Sequence, residues 1–194
     1  MRSPETLSKR ECIEVLVEEY RSLNALLLFR LSALDRRLPA SVGFMAAAVA
    51  ATLSLPIESR IAVLILTPSA VLWMVRTTIQ HAMAKEDHLR RIAEIEVLIN
   101  ELAGRDLLAF QSQHPNRAAA TAGRSGTATV IATAAGAILL LVLCLVLFSL
   151  DSGPIPYGLY LGYVGLIAAD VVLGPMRLSR YSYAKRPKFL QESR

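Results

Sequence analysis

Four apolar stretches, residues 38–55, 61–80, 127–150 and 155–176, dominate this chain of 194 residues. Each is about long enough to carry a helix across a hydrocarbon core at roughly 1.5 Å per residue. A bilayer core offers no partners to backbone N–H and C=O groups, so each crossing has to satisfy its own ladder as a helix. The stretches fall into two hairpins. Pro56-Ile57-Glu58-Ser59-Arg60 joins the first pair and Asp151-Ser152-Gly153-Pro154 the second, with a long polar region between the pairs. The sequence therefore predicts an all-α integral membrane protein with four transmembrane helices in two hairpins and long amphipathic cytoplasmic helices.

The hydrophobic fraction of 54% and mean hydropathy of +0.43 exceed those of an ordinary soluble domain, and the excess sits in the four stretches. Met1-Arg2-Ser3-Pro4-Glu5 leads into a charged helical pattern with no short apolar core and cleavage site, so the first crossing is expected to act as the insertion signal. Lysine and arginine set the orientation. Residues 1–37 carry seven of them, residues 79–126 six and the tail after Met176 six, whereas the outer turns contain only Arg60. All three basic regions are expected in the cytoplasm of a bacterial inner (plasma) membrane protein, with both termini inside. The net charge of +5 is then topology and attraction to anionic lipid headgroups, and no nucleic-acid partner is expected because no binding module accompanies it. Arg177, Arg180, Lys185, Arg186 and Lys188, interleaved with Tyr181 and Tyr183, fit an interfacial anchor. Cys12 and Cys144 have neither the spacing nor the setting of a bridge or thiolate metal site.

Outside the crossings, two apolar seams recur at three- and four-residue intervals. The first opens on a Ser8/Glu11 capping box and runs through Ile13, Leu16, Tyr20, Leu23, Leu27, Leu31 and Leu34 as an amphipathic helix ending near Arg36-Arg37. The second, Leu89, Ile92, Ile95, Ile99 and Leu102, follows the second crossing without a breaker and predicts one continuous helix stopping near Gly104. A short helix over 106–111 is expected next, broken by His114-Pro115. Each seam is the other's natural partner, within one chain or between subunits in a coiled-coil manner. The division that follows is an amphipathic cytoplasmic helix at 1–37, a first hairpin at 38–80, a helical extension at 81–114, a flexible linker at 115–126, a second hairpin at 127–176 and a basic tail at 177–194.

Inside the crossings, Arg76 lies 15 residues after Ile61 and Asp170 lies 15 after Ile155, in segments running the same way. Both fall roughly 22 Å from the outer ends, where a charge is costly unless it finds a partner, so an intramembrane Arg76–Asp170 pair is expected. Small residues at four- and three-residue spacing, Gly43, Ala47 and Ala51, then Gly136, then Gly158, Gly162, Gly165 and Ala169, mark faces for close helix packing and for a homo-oligomer. Pro68 removes a hydrogen bond within the second crossing and is expected to bend it, while Tyr160 and Tyr163 are candidates for packing or hydrogen bonding inside the bundle.

His81, Lys85 and His88 follow the second crossing close to one helical face, where a phosphate-bearing headgroup could meet them. They lack the spacing of a zinc site, and neither a nucleophile elbow nor a phosphate loop occurs, so no metal, cofactor or catalytic residue is assigned. Glu96, Asn100 and Glu101 are candidates for buried polar positions, with Asn100 beside the seam and able to fix its register. The sequence favours a non-enzymatic multi-pass membrane scaffold or effector that associates through its cytoplasmic helices. A small channel or transporter subunit using Arg76 and Asp170 is the first alternative and a lipid-modifying membrane enzyme the second.

Overall fold

The computed structural model describes residues 8–113, 123–151 and 154–181. The greater part of the expected linker, His114, Tyr183, Lys185, Arg186 and Lys188 lie outside these residues. Four helices make up the fold of the described residues: α1 (Lys9–Ser54), α2 (Ile57–Ala103), α3 (Gly123–Asp151) and α4 (Pro154–Ser179). All four are long and apolar enough to cross a membrane.

The Ser8/Glu11 box starts α1: Ser8 Oγ accepts from the Glu11 N–H and the Glu11 carboxylate accepts from the Ser8 N–H. The helix then corrects one expectation, since it does not end at Arg36-Arg37 but runs through Pro39 to Ser54. Proline at 39 deprives the Asp35 carbonyl of its N–H partner. α1 is nevertheless carried across this point because it is packed on both sides of it, through Tyr20 on Glu96 and Arg37 on Thr77 before the proline and through Met45 beside Gly136 and Ala48 in the core after it.

α2 runs from the apolar half of the molecule into the polar half and stops at Gly104. This residue has φ 69° and donates its N–H to the Asn100 and Glu101 carbonyls, an ending that favours glycine because a side chain is strained in the left-handed region. Beyond it the expected helix over 106–111 is absent. Asn100 Oδ1 accepts from the Leu107 and Leu108 N–H groups, and Asn100 Nδ2 donates to the Leu108 carbonyl. Glu96 accepts from the N–H groups of Gln111 and Ser112. These side-chain acceptors compete with a helical ladder for the same donors, so the segment folds back along α2. A further difference concerns α3, which begins at Gly123 and absorbs four residues of the expected linker.

α2 and α3 touch each other and both outer helices, whereas α1 and α4 make no contact among the described residues. The core repeats at three- and four-residue steps, with Val130, Ala134, Ala137, Leu141, Cys144 and Phe148 of α3 facing Leu64, Val71, Val75 and Ile79 of α2 and Val164, Ile167 and Val171 of α4. Pro68 sits inside α2 and frees the Leu64 carbonyl. Tyr160, buried on α4 and stacked on Phe148 at 4.0 Å, donates its hydroxyl to that carbonyl at 2.7 Å. An apolar environment makes an unpaired carbonyl expensive, and the tyrosine removes that cost. At the far end Arg60 reaches Asp151 at 3.3 Å and ties the two hairpins together.

Within the chain, the small-residue faces divide. A Cβ on Gly43, Gly158, Gly162 or Gly165 would meet nothing within 4 Å, and Ala47 and Ala169 are exposed with Ala51 half-buried. Gly136 does lie at a helix contact, where a Cβ would come 2.9 Å from the Met45 sulfur, and Gly174 leaves room for the Ile79 side chain. The α4 stripe faces outward because the heptad positions 160, 164, 167 and 171 occupy the opposite side of that helix.

Candidate functional site

The ionisable groups singled out in the sequence gather where the apolar half of the bundle gives way to the polar half. On the α1–α2 side, Arg37 Nη1 donates to Thr77 Oγ1 at 2.9 Å and Nη2 lies 2.7 Å from His81 Nε2. Arginine only donates, so Nε2 is the acceptor and the proton of the neutral ring is on Nδ1, which is buried without a hydrogen-bond partner among the described residues. Burial, reinforced by the charges of Arg37 and Arg30, holds His81 below the usual histidine range. Lys85, one turn further, is 6% exposed, and its burial lowers its pKa against the opposing pull of Asp35 and Glu86. His88 Nδ1 contacts the Ala84 carbonyl of its own helix. The basic face expected to meet headgroups is therefore largely taken up within the chain: Lys85 is buried and His81 is bonded to α1.

Beside Arg37 the two helices separate around a cleft of about 420 Å³. Arg36, Arg37 and Thr77 stand at one end and Phe44, Ala70 and Trp73 at the other, with Ala40, Ser41 and Met74 between. Sequence reasoning missed this place. Its signal was present, because Arg36-Arg37 adjoins the first apolar stretch and Trp73 lies in the second, but only antiparallel pairing of α1 and α2 sets them side by side.

On the α2–α4 side, Arg76 Nε lies 2.9 Å from Asp170 Oδ2, and Arg177 Nη1 lies 3.5 Å from Asp170 Oδ1. The structure thus brings Arg76 and Asp170 together and adds Arg177, one of the residues read as a headgroup contact. The cluster is at the rim of the bundle, since the Arg76 side chain is 59% and that of Asp170 20% exposed. Near it, Tyr181 donates to Asp87 Oδ1 at 2.7 Å, which pushes the phenol up to about 12 and joins the end of α4 to the polar half of α2. Arg180 is exposed.

The polar half has its own buried group. Glu96, fully buried, takes the Gln111 and Ser112 N–H groups at 2.9 and 2.7 Å and lies 3.4 Å from the Tyr20 hydroxyl. Arg91 grips both Glu19 carboxylate oxygens at 2.8 and 2.9 Å. These bonds pair the two amphipathic seams within one chain. Among the described residues no three histidine, cysteine or acidic side chains cluster as metal ligands would. Comparisons with protein-family models, with curated proteins and with solved structures return no match.

Proposed function

We propose that the chain is a non-enzymatic membrane scaffold: its four helices cross a bacterial inner membrane with both termini in the cytoplasm, and the polar half of the α1–α2 hairpin is an arm through which copies associate. The observation that carries this reading is the apolar surface left on an arm whose seams are already paired. Val15, Leu26 and Phe29 are 59%, 49% and 71% exposed among the described residues and fall within about 60° of arc on α1. The contacts of Glu19 with Arg91 and of Tyr20 with Glu96 make the arm stiff enough to present that strip. A channel reading would need Arg76 and Asp170 to line an internal path, and their place at the rim of the bundle favours the scaffold instead.

Energy transfer between labelled chains in nanodisc and vesicle preparations tests it. Association is expected for the unaltered chain and its loss for L26E/F29E, with the thermal midpoint unchanged because neither side chain is in the core. A chain that stays monomeric at every protein-to-lipid ratio overturns the reading.

A further inference from the structure

Arg60, Arg76, Arg90, Arg91 and Arg177 each sit beside a carboxylate. Arg36 and Arg37 do not, as no acidic side chain among the described residues lies within ion-pairing distance of either. Two adjacent guanidinium groups at the edge of an apolar region, with no counter-charge among the described residues, form a receptor for an anion. Arg37 is held in place by Thr77 and His81, which use two of its five N–H donors and leave the others. Arg36 is exposed and can swing onto the same ligand.

The remainder of the cleft describes the rest of that ligand. From Arg36 to Phe44 the cleft follows α1 for eight helical steps, about 12 Å, and the opposite wall is Ala70 and Trp73 of α2. It is thus cationic at one end and apolar at the other, with its long axis along the helices. A free phosphate would leave the Phe44 and Trp73 end unused, whereas an amphiphile matches both ends. The volume of about 420 Å³ is within the range of small-ligand sites.

We propose that this cleft binds one anionic phospholipid of the cytoplasmic leaflet, its phosphate between Arg36 and Arg37 and one acyl chain over Ala40, Phe44, Ala70 and Trp73. The assignment rests on the membrane-crossing part of the reading above and is independent of self-association. The cluster around Asp170 is a poorer receptor, because a carboxylate already lies between its two arginines.

Trp73 is the chain's one tryptophan, so its fluorescence reports on this cleft alone. The full chain would be reconstituted in phosphatidylcholine vesicles doped with phosphatidylglycerol brominated on its acyl chains, or with brominated phosphatidylcholine as the baseline. Each cation near an anionic headgroup contributes roughly fivefold in affinity, so phosphatidylglycerol is expected to quench Trp73 with an apparent affinity at least about tenfold above the baseline. R36Q/R37Q should bring the two lipids to within about twofold. Since R37Q also removes bonds to Thr77 and His81, R36Q alone is the second variant, expected to lower the preference roughly fivefold with an unchanged thermal midpoint. R177Q/R180Q should leave the preference intact. Equal quenching by both lipids in the unaltered chain, a preference that survives R36Q/R37Q, or one lost equally in R177Q/R180Q overturns the site while leaving the membrane-crossing reading in place. No quenching by either lipid overturns that reading and the site with it.

Discussion

In the apolar half of α2, contact with α3 and α4 runs through aliphatic side chains at heptad steps, and the Tyr160 hydroxyl goes to the carbonyl that Pro68 frees. In the polar half, the same helix meets α1 and the 104–113 segment through a fully buried carboxylate, an amide side chain and a two-pronged arginine bridge. On the membrane-crossing proposal, water explains the contrast. Where it competes, a neutral hydrogen bond contributes about 1 kcal/mol net and charged acceptors contribute more, whereas in an apolar surrounding the dominant cost is a polar group left unpaired. One half is therefore sensitive to losing charge and the other to exposing backbone.

Removing the buried carboxylate should break this comparison most severely. Glu96→Ala strands the Gln111 and Ser112 N–H groups and is expected to cost about 3 kcal/mol, read as lost hydrogen-exchange protection at those two amides and a lower thermal midpoint. Glu96→Gln keeps a neutral acceptor and should lose less; a loss equal to that of Glu96→Ala would show that the charge, and not an acceptor alone, holds the fold-back. In the apolar half, Tyr160→Phe is expected to cost about 1 kcal/mol, and the cost should shrink in a Pro68→Ala background where residue 68 regains an N–H for Leu64. A double-mutant cycle with no coupling between the two positions would refute that link.

Smaller effects sharpen the contrast. Glu19→Ala is expected to cost about 0.5 to 1 kcal/mol in chemical denaturation and to lose most of that at high salt, because Glu19 is partly exposed. At the rim, Arg76→Ala and Asp170→Ala should each lower the thermal midpoint slightly, with a double apolar replacement recovering part of the loss; full additivity would mean the pair contributes nothing. The least effect comes from pH. The folded chain holds His81 below its unfolded value, so the unfolded chain takes up the proton first, and stability present above about pH 6.5 falls as pH drops toward the folded value. His81→Asn should flatten that part of the melting-point profile, and an identical profile in the variant would assign the slope to other groups.

Particular residues show how far local pattern reached. Ser8 and Glu11 form their box because a capping box needs only four consecutive residues, and α2 stops at Gly104 because a left-handed ending is a local preference. Pro39 is the opposite case: proline next to Arg36-Arg37 reads locally as a boundary, yet α1 continues across it against α2. The 106–111 stretch likewise reads as helix until Asn100 and Glu96, seven to fifteen residues earlier, take its N–H groups. Pro68 and Tyr160 were each conspicuous by themselves, but their relation spans more than 90 residues and exists only once α4 packs on α2.

The sequence by itself determined the number of long apolar helices, their hairpin order and the capping of α1 and α2, because helix formation and its ends depend on neighbours within a few residues. Only the tertiary structure decided that the two polar seams pair within one chain, that the small face of α4 turns outward, that Glu96 anchors a returning segment, and that Arg36, Arg37, Phe44 and Trp73 share a cleft. Those outcomes depend on the relative rotation and offset of helices distant in sequence. A periodic pattern gives each helix a face but does not say which other face will cover it.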